Sequence, residues 1–301
     1  MLLKFGSYGK EVKKYKDMLY TLGYLRASTH DRFGAETLAA VKAFQKKHQL
    51  KVDGIIGKKT SAAIALSYEY HIGMGGGSGT APSPDIVRYL NEADYDNLDP
   101  IVITAINSDL QDEADARRQV VKEALFWAFP YALYIFGANL YKKDLTVQAP
   151  TFAYIDQMAK KHPEYFDGGR KDFMKKQYTE SAKIGRRISC ADCSGFVVGI
   201  LRKLKLVNNS FDTTANNFYH SYCKKIKKKD LRPGDLVFRR QSSGFIPHMG
   251  LYVGAGYVIE AAGGAFGVQL SRLDDHIIVN EMKHQKERRT AWSLYGDLKL
   301  Y

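Results

Sequence analysis

Three cysteines in 301 residues, Cys190, Cys193 and Cys223, are too few for a disulfide framework, and the odd count leaves at least one thiol free unless chains pair. The N-terminus, MLLKFGSYGKEVKKY, lacks an apolar h-region and a small-residue cleavage site, so it does not read as a secretory signal. No apolar run is long enough for a comfortable membrane span. The most apolar stretch, Ala124 to Ala138, contains Pro130 and reads as a core helix. Acidic side chains are in deficit, 32 against 45 Lys and Arg, for a net charge of +13. Such a surface attracts any polyanion (nucleic acid, anionic lipid or a teichoic acid) and by itself selects none. The apolar fraction of 45% excludes disorder as the default, and the length suffices for two domains with cores of their own.

What is present falls into two units. The stretch Ile72 to Pro84, IGMGGGSGTAPSP, is a linker by composition. It suggests an N-terminal domain over residues 1–70, a linker over 71–85 and a larger domain over 86–301, with an insertion at about 139–189. Before the linker, Val12, Tyr15, Leu19 and Leu22 recur at helical spacing and Gly23 stops that helix. A second stripe runs Leu38, Val41, Phe44 and Gln45, and a third helix follows Gly57. Periodicity yields a small all-α domain. The segments GxxVxxxxxxLxxLGYL, DRFGxxTxxAVKAFQKKHxL and VDGIIGKKT, in that order over roughly residues 6–66, resemble the peptidoglycan-binding three-helix domain attached to many wall enzymes. The glycines of these segments are turn and cap positions rather than evidence of binding.

The chemistry lies after the linker. In SCADCSGFVVGILRKLKL, apolar residues at 196, 197, 200, 201 and 204 mark an amphipathic helix with Cys193 in its first turn and Asp192 at the N-cap. A helix N-terminus presents unpaired N–H groups and a partial positive charge, which favour a thiolate and can hold an oxyanion. The competing readings of C-x-x-C are a redox pair, for which the βαβ context is missing, and half of a zinc site, which needs Cys223 and a histidine to complete it. Cys190 alone reads as a buried small apolar residue.

Further on, Arg232-Pro233-Gly234-Asp235 is a turn and Leu236-Val237-Phe238 opens a buried strand. Leu251, Val253, Val258 and Ile259 then flank Gly254-Ala255-Gly256, the pattern of a β-hairpin with a three-residue loop. Pairing Val253 with Tyr257 sets Gly250 against Glu260 and His248 against Ala262. His248 and Glu260 then share a face as diagonal neighbours, a histidine oriented by a carboxylate. A two-residue loop shifts that pairing by one and spoils it. The remaining histidines, His276 among them, sit in polar or unplaced contexts and carry no functional expectation.

DCSGF, DLRPGDLVF and HMGLYVGAGYVIEA, in this order and spacing, resemble the NlpC-type cysteine peptidases, papain-like enzymes that cut wall peptides. The resemblance spans about residues 117–301 outside the insertion. It implies an α+β fold, with a helix carrying the nucleophile packed on an antiparallel sheet. It implies Cys193 as nucleophile, His248 as base and Glu260 as the orienting third residue, where many members carry histidine. Tyr134-Ile135-Phe136-Gly137-Ala138 resembles the family's Tyr-x-aromatic-Gly-Gly segment, which assigns Tyr134, with Asp192 and Ser194, to the oxyanion and substrate side. The implied reaction is hydrolysis of the γ-D-Glu to diamino-acid bond of the stem peptide through a thioester, with no metal or organic cofactor. The implied partner is peptidoglycan, engaged by both domains, and not nucleic acid, and the implied place of action is the extracellular cell wall. The missing export signal fits a phage or prophage lysin, a virion part or a non-classical route. The alternatives are an amidase or acyltransferase on the same frame, a non-catalytic wall binder, and a nucleic-acid binder suggested by Lys224-Lys225-Ile226-Lys227-Lys228-Lys229.

Overall fold

The computed structural model describes residues 2–25, 31–48, 50–73, 90, 98–183 and 187–300. The chain divides into two compact units, one of residues 1–86 with 99–105, the other of 87–98 with 106–301.

The first unit contains α1 (Lys10–Thr21), α2 (Ala35–Lys47) and α3 (Lys58–Gly73). The residues picked out by helical spacing form its core: Val12, Tyr15, Leu19, Val41 and Phe44 pack with Phe33, Ile56 and Ile64. Gln45 is buried among them because its amide is fully used. It donates to Asp53 Oδ1, Ile55 O and Thr60 Oγ1 at 2.9, 3.0 and 3.1 Å, and its Oε1 accepts from Gly54 N at 2.8 Å. One side chain thus ties the turn between α2 and α3 to the core. Helix α3 continues to Gly73, into the stretch whose composition reads as linker, and the rest of that stretch lies outside the described residues.

Helix α4 (Pro100–Asp109) is divided between the units, its residues from Ile106 on belonging to the second. The second unit is α+β. Helix α5 (Asp115–Phe126) leads to the short strand β1 (Ala132–Tyr134). The expected core helix over 124–138 is therefore corrected: the helix ends at Phe126. Pro130 cannot donate to a helical ladder and disfavours the helical region at the residue before it, so the apolar run continues as turn and strand. Helices α6 (Phe152–Lys161) and α7 (Arg170–Lys183) follow, then β2 (Ser189–Ala191) and α8 (Cys193–Lys203). Strand β2 pairs with β1 in parallel, Leu133 opposite Cys190 and Tyr134 opposite Ala191. The insertion packs on this pair: Ile155, Met158, Phe166 and Met174 share a core with Leu133, Ile135, Ala138 and Cys190.

The main sheet holds β3 (Cys223–Ile226), β4 (Leu236–Arg239), β5 (His248–Gly254), β6 (Tyr257–Ala261), β7 (Val268–Arg272) and β10 (Leu294–Leu298). Its order is β3-β10-β4-β5-β6-β7, antiparallel throughout. Strands β8 (Ile277–Asn280) and β9 (Gln285–Arg288) form a separate hairpin. Strands β4 to β6 are buried along most of their length because α8 covers one side, with Phe196, Val197, Ile200 and Leu201 all inside. Buried Arg117 of α5 reaches Pro233 O at 2.9 Å, Asp235 at 2.8 Å and Asp297 at 2.6 Å, fixing α5 to the turn before β4. Breaking such a buried charge network by removing one partner costs about 3–5 kcal/mol.

Candidate active site

Cys193 is the first residue of α8. Asp192 caps the helix, accepting from Gly195 N at 2.7 Å, and also takes Ser194 Oγ at 3.1 Å and Gly137 N at 2.9 Å. The capping carboxylate therefore braces the Tyr134–Ala138 segment against the helix, and the backbone repeats the brace through Asp192 N to Ala138 O (2.9 Å) and Leu140 N to Gly195 O (3.1 Å). A side chain at Gly195 has no space: a Cβ there would stand 2.0 Å from the Ala138 carbonyl oxygen. The parallel β1–β2 pair is what brings Tyr134 beside Cys193 across more than fifty intervening residues. Burial, with Cys193, Asp192 and Tyr165 nearby, pushes the Tyr134 phenol well up, so it remains a hydrogen-bond donor. Tyr165 of the insertion stacks on Phe136 at 3.9 Å, so the insertion borders the site.

The cysteine sulfur lies against the start of β5. Its thiol points to Pro247 O at 3.9 Å, and the backbone N–H groups of Met249 and Ser194 lie near enough to favour its charged form. The sulfur thus lies beside the residues that flank His248. Burial first, then Asp192, pushes the thiol up to about 12, and those N–H groups offset only part of this. Burial likewise lowers His248, against the opposing pull of Glu260. The shift at Cys193 runs against the expectation that the helix N-terminus favours the thiolate, because desolvation outweighs the helix end there.

His248 Nε2 meets Glu260 Oε2 at 2.6 Å. The register that brings them together is the expected one, Leu251 opposite Ile259 and Tyr252 opposite Val258, but it is reached differently. The loop has two residues, Ala255 and Gly256, both at positive φ, with Gly254 opposite Tyr257 and a bulge at Val253. The bulge's extra residue restores the register that a two-residue loop alone would shift.

Four residues around this pair carried no expectation. His276 Nε2 meets the other oxygen of Glu260 at 2.5 Å, and its Nδ1 lies 2.8 Å from Thr290 O. Ser271 Oγ donates to Glu260 Oε1 at 3.1 Å. Trp292 stacks on both imidazoles, with centroids 5.6 Å from His248 and 4.7 Å from His276. It fits there because Gly250 has no side chain: a Cβ would stand 3.1 Å from the indole. Arg239, opposite His248 in the β4–β5 register, lies 5.9 Å over Trp292, and its charge is felt at Cys193. The one sequence signal for His276 is that it precedes the apolar strand Ile277-Ile278-Val279 much as His248 opens its own. Burial would raise Glu260, yet the hydrogen bonds from His248 and His276 outweigh it and hold the carboxylate below its usual range. Among the described residues no group of three or more His, Cys, Asp and Glu side chains is arranged to hold a metal ion.

Comparisons with known proteins match two separate stretches of the chain. The peptidoglycan binding domain model matches residues 8–64 and the NlpC/P60 family model matches residues 176–287. The chain is 39% identical over 93 residues to the probable endopeptidase p60 of Listeria grayi, covering 30% of this chain and 16% of that one. It is 36% identical over 86 residues to the murein DD-endopeptidase MepH of Escherichia coli (strain K12), covering 28% and 31%. It thus spans less than a third of the length of either relative. Among solved structures, the peptidoglycan hydrolase RipB of Mycobacterium tuberculosis aligns over 80% of this chain and 86% of its own, at 15% identity and a TM-score of 0.36. The chain is thus similar to the NlpC/P60 family over residues 176–287 and to the peptidoglycan binding domain family over residues 8–64.

Proposed function

We propose that this protein is a peptidoglycan endopeptidase acting at the bacterial cell wall, with Cys193 as nucleophile, His248 as acid and base, and Glu260 as the group that orients His248. The supporting observation is the placement of the Cys193 sulfur against Pro247 O, beside His248, whose Nε2 is engaged by Glu260. Because Nε2–H donates to the carboxylate, neutral His248 carries its lone pair on Nδ1, the tautomer a base for the thiol requires.

As Sγ attacks the amide carbon, His248 takes the thiol proton and the carbonyl π electrons move onto oxygen. Backbone N–H groups at the start of α8 and the Tyr134 hydroxyl supply hydrogen bonds to that oxyanion. Its collapse breaks the C–N bond as His248 protonates the departing amine. His248 then deprotonates water, which attacks the thioester, and the sulfur leaves and recovers its proton. The bond assigned is γ-D-Glu to diamino acid. The name of the MepH relative favours a second reading, the D,D cross-bridge between stem peptides. The peptidoglycan-binding unit supplies attachment to the same polymer.

Mass spectrometry of muropeptides released from purified peptidoglycan, wild type against Cys193→Ala, tests both readings. New amine ends at the γ-D-Glu bond in wild type alone are the expected result. Amine ends at the cross-bridge move the cut to the D,D bond, and lactyl-amide products make the protein an amidase. No product, with Cys193 inert to alkylation, leaves a wall binder.

A further inference from the structure

The hydrogen bonds around His276 fix its protons. Thr290 contributes a carbonyl oxygen, which can only accept, so Nδ1 carries a hydrogen. A neutral imidazole would then have a bare lone pair on Nε2, and a lone pair cannot face a carboxylate oxygen at 2.5 Å. One further proton lies between Nε2 and Glu260. Counting it, the His276–Glu260 pair carries no net charge. The burial of all three groups makes that sum matter: His248, Glu260 and His276 are each no more than 7% exposed, and uncompensated charge there is costly.

We propose that His276 is a positioning residue for the reaction assigned above: an imidazolium clamped between Thr290 and Glu260, it cancels the carboxylate's charge, so that Glu260 orients His248 without locking a proton onto it. The pair presents to His248 an acceptor that is neutral in sum. Without the imidazolium, a full negative charge 2.6 Å from His248 Nε2 draws the Cys193 proton onto His248 and holds it there. That speeds attack by sulfur and slows thioester hydrolysis, which needs His248 neutral as base. The charged and titratable groups facing this cluster are Glu260 from β6, His248 from β5, Arg239 from β4, Cys193 from α8 and Arg289, whose backbone N–H donates to the His276 carbonyl.

The inference rests on the endopeptidase reading, and its test separates the two. In full-length protein, His276→Gln, Glu260→Gln and the double variant are compared with wild type by iodoacetamide alkylation of Cys193 across pH and by turnover of purified peptidoglycan. His276→Gln is expected to alkylate about tenfold faster at neutral pH and to turn over about tenfold more slowly, the opposite signs marking a proton moved by about one pH unit. Adding Glu260→Gln, which removes the uncompensated charge, returns the alkylation rate toward wild type. Alkylation that is unchanged, or that falls with turnover, makes His276 a packing residue and overturns the proposal. If His276→Gln fails to fold, folding of the double variant supports the proposal and its failure overturns it. Wild type that yields no muropeptides while the alkylation pattern holds removes the endopeptidase reading and leaves the charge pair standing.

Discussion

At Gly195 the space beside the α-carbon is filled by the Ala138 carbonyl oxygen, the same oxygen that accepts from Asp192 N. Gly195→Ala is therefore expected to push α8 off the Tyr134–Ala138 segment. It should cost about 3 kcal/mol in urea unfolding and abolish muropeptide release. Why Cys193, Asp192, His248 and Glu260 are legible in the sequence, whereas His276 and Trp292 are not, follows from how each is placed. The first four sit in short segments whose local period sets the face: Cys193 at a helix start, His248 and Glu260 on two strands of one hairpin. His276 and Trp292 arrive on the flanks of the β8–β9 hairpin, which lies outside the main sheet. No periodicity in LDDHIIVNEMK says which way that hairpin folds. The direction of the shift at Cys193 was illegible for a different reason: the helix end is written in the local sequence, but the burial that outweighs it is made by residues distant in sequence.

At the scale of elements, the β5–β6 hairpin trades strain for register. Ala255 stands at φ 52°, where a side chain costs about 1 kcal/mol, so that two residues can turn the chain tightly. Ala255→Gly is expected to stabilise the protein by up to that amount. In a unit of this size a calorimetric scan would show it as a rise of about 2–4 °C in Tm, with turnover unchanged because the His248–Glu260 pairing is untouched. The alternation of apolar residues makes the hairpin and its working register readable, but the bulge at Val253 has no signature of its own. The apolar run over 124–138 shows the complementary limit: it reads as one core helix, but Pro130 lies in the turn between the helix that ends at Phe126 and the strand that begins at Ala132.

For the whole molecule, the proposed function places attachment and cutting in different units. Removing residues 1–86 is expected to lower the fraction of protein that sediments with insoluble peptidoglycan, while leaving kcat on small soluble stem peptides within about twofold. Equal sedimentation would place wall affinity in the catalytic unit, or in the net charge of +13 acting on anionic wall polymers. Salt dependence of the residual binding distinguishes those two. Among the described residues no helix is long and apolar enough to cross a membrane. The molecule has two tryptophans, and Trp292 alone stacks on His248 and His276. A protonated imidazole quenches the light an adjacent indole emits. With Trp127 replaced by phenylalanine, the emission of this one ring becomes an optical record of the proton's position during turnover.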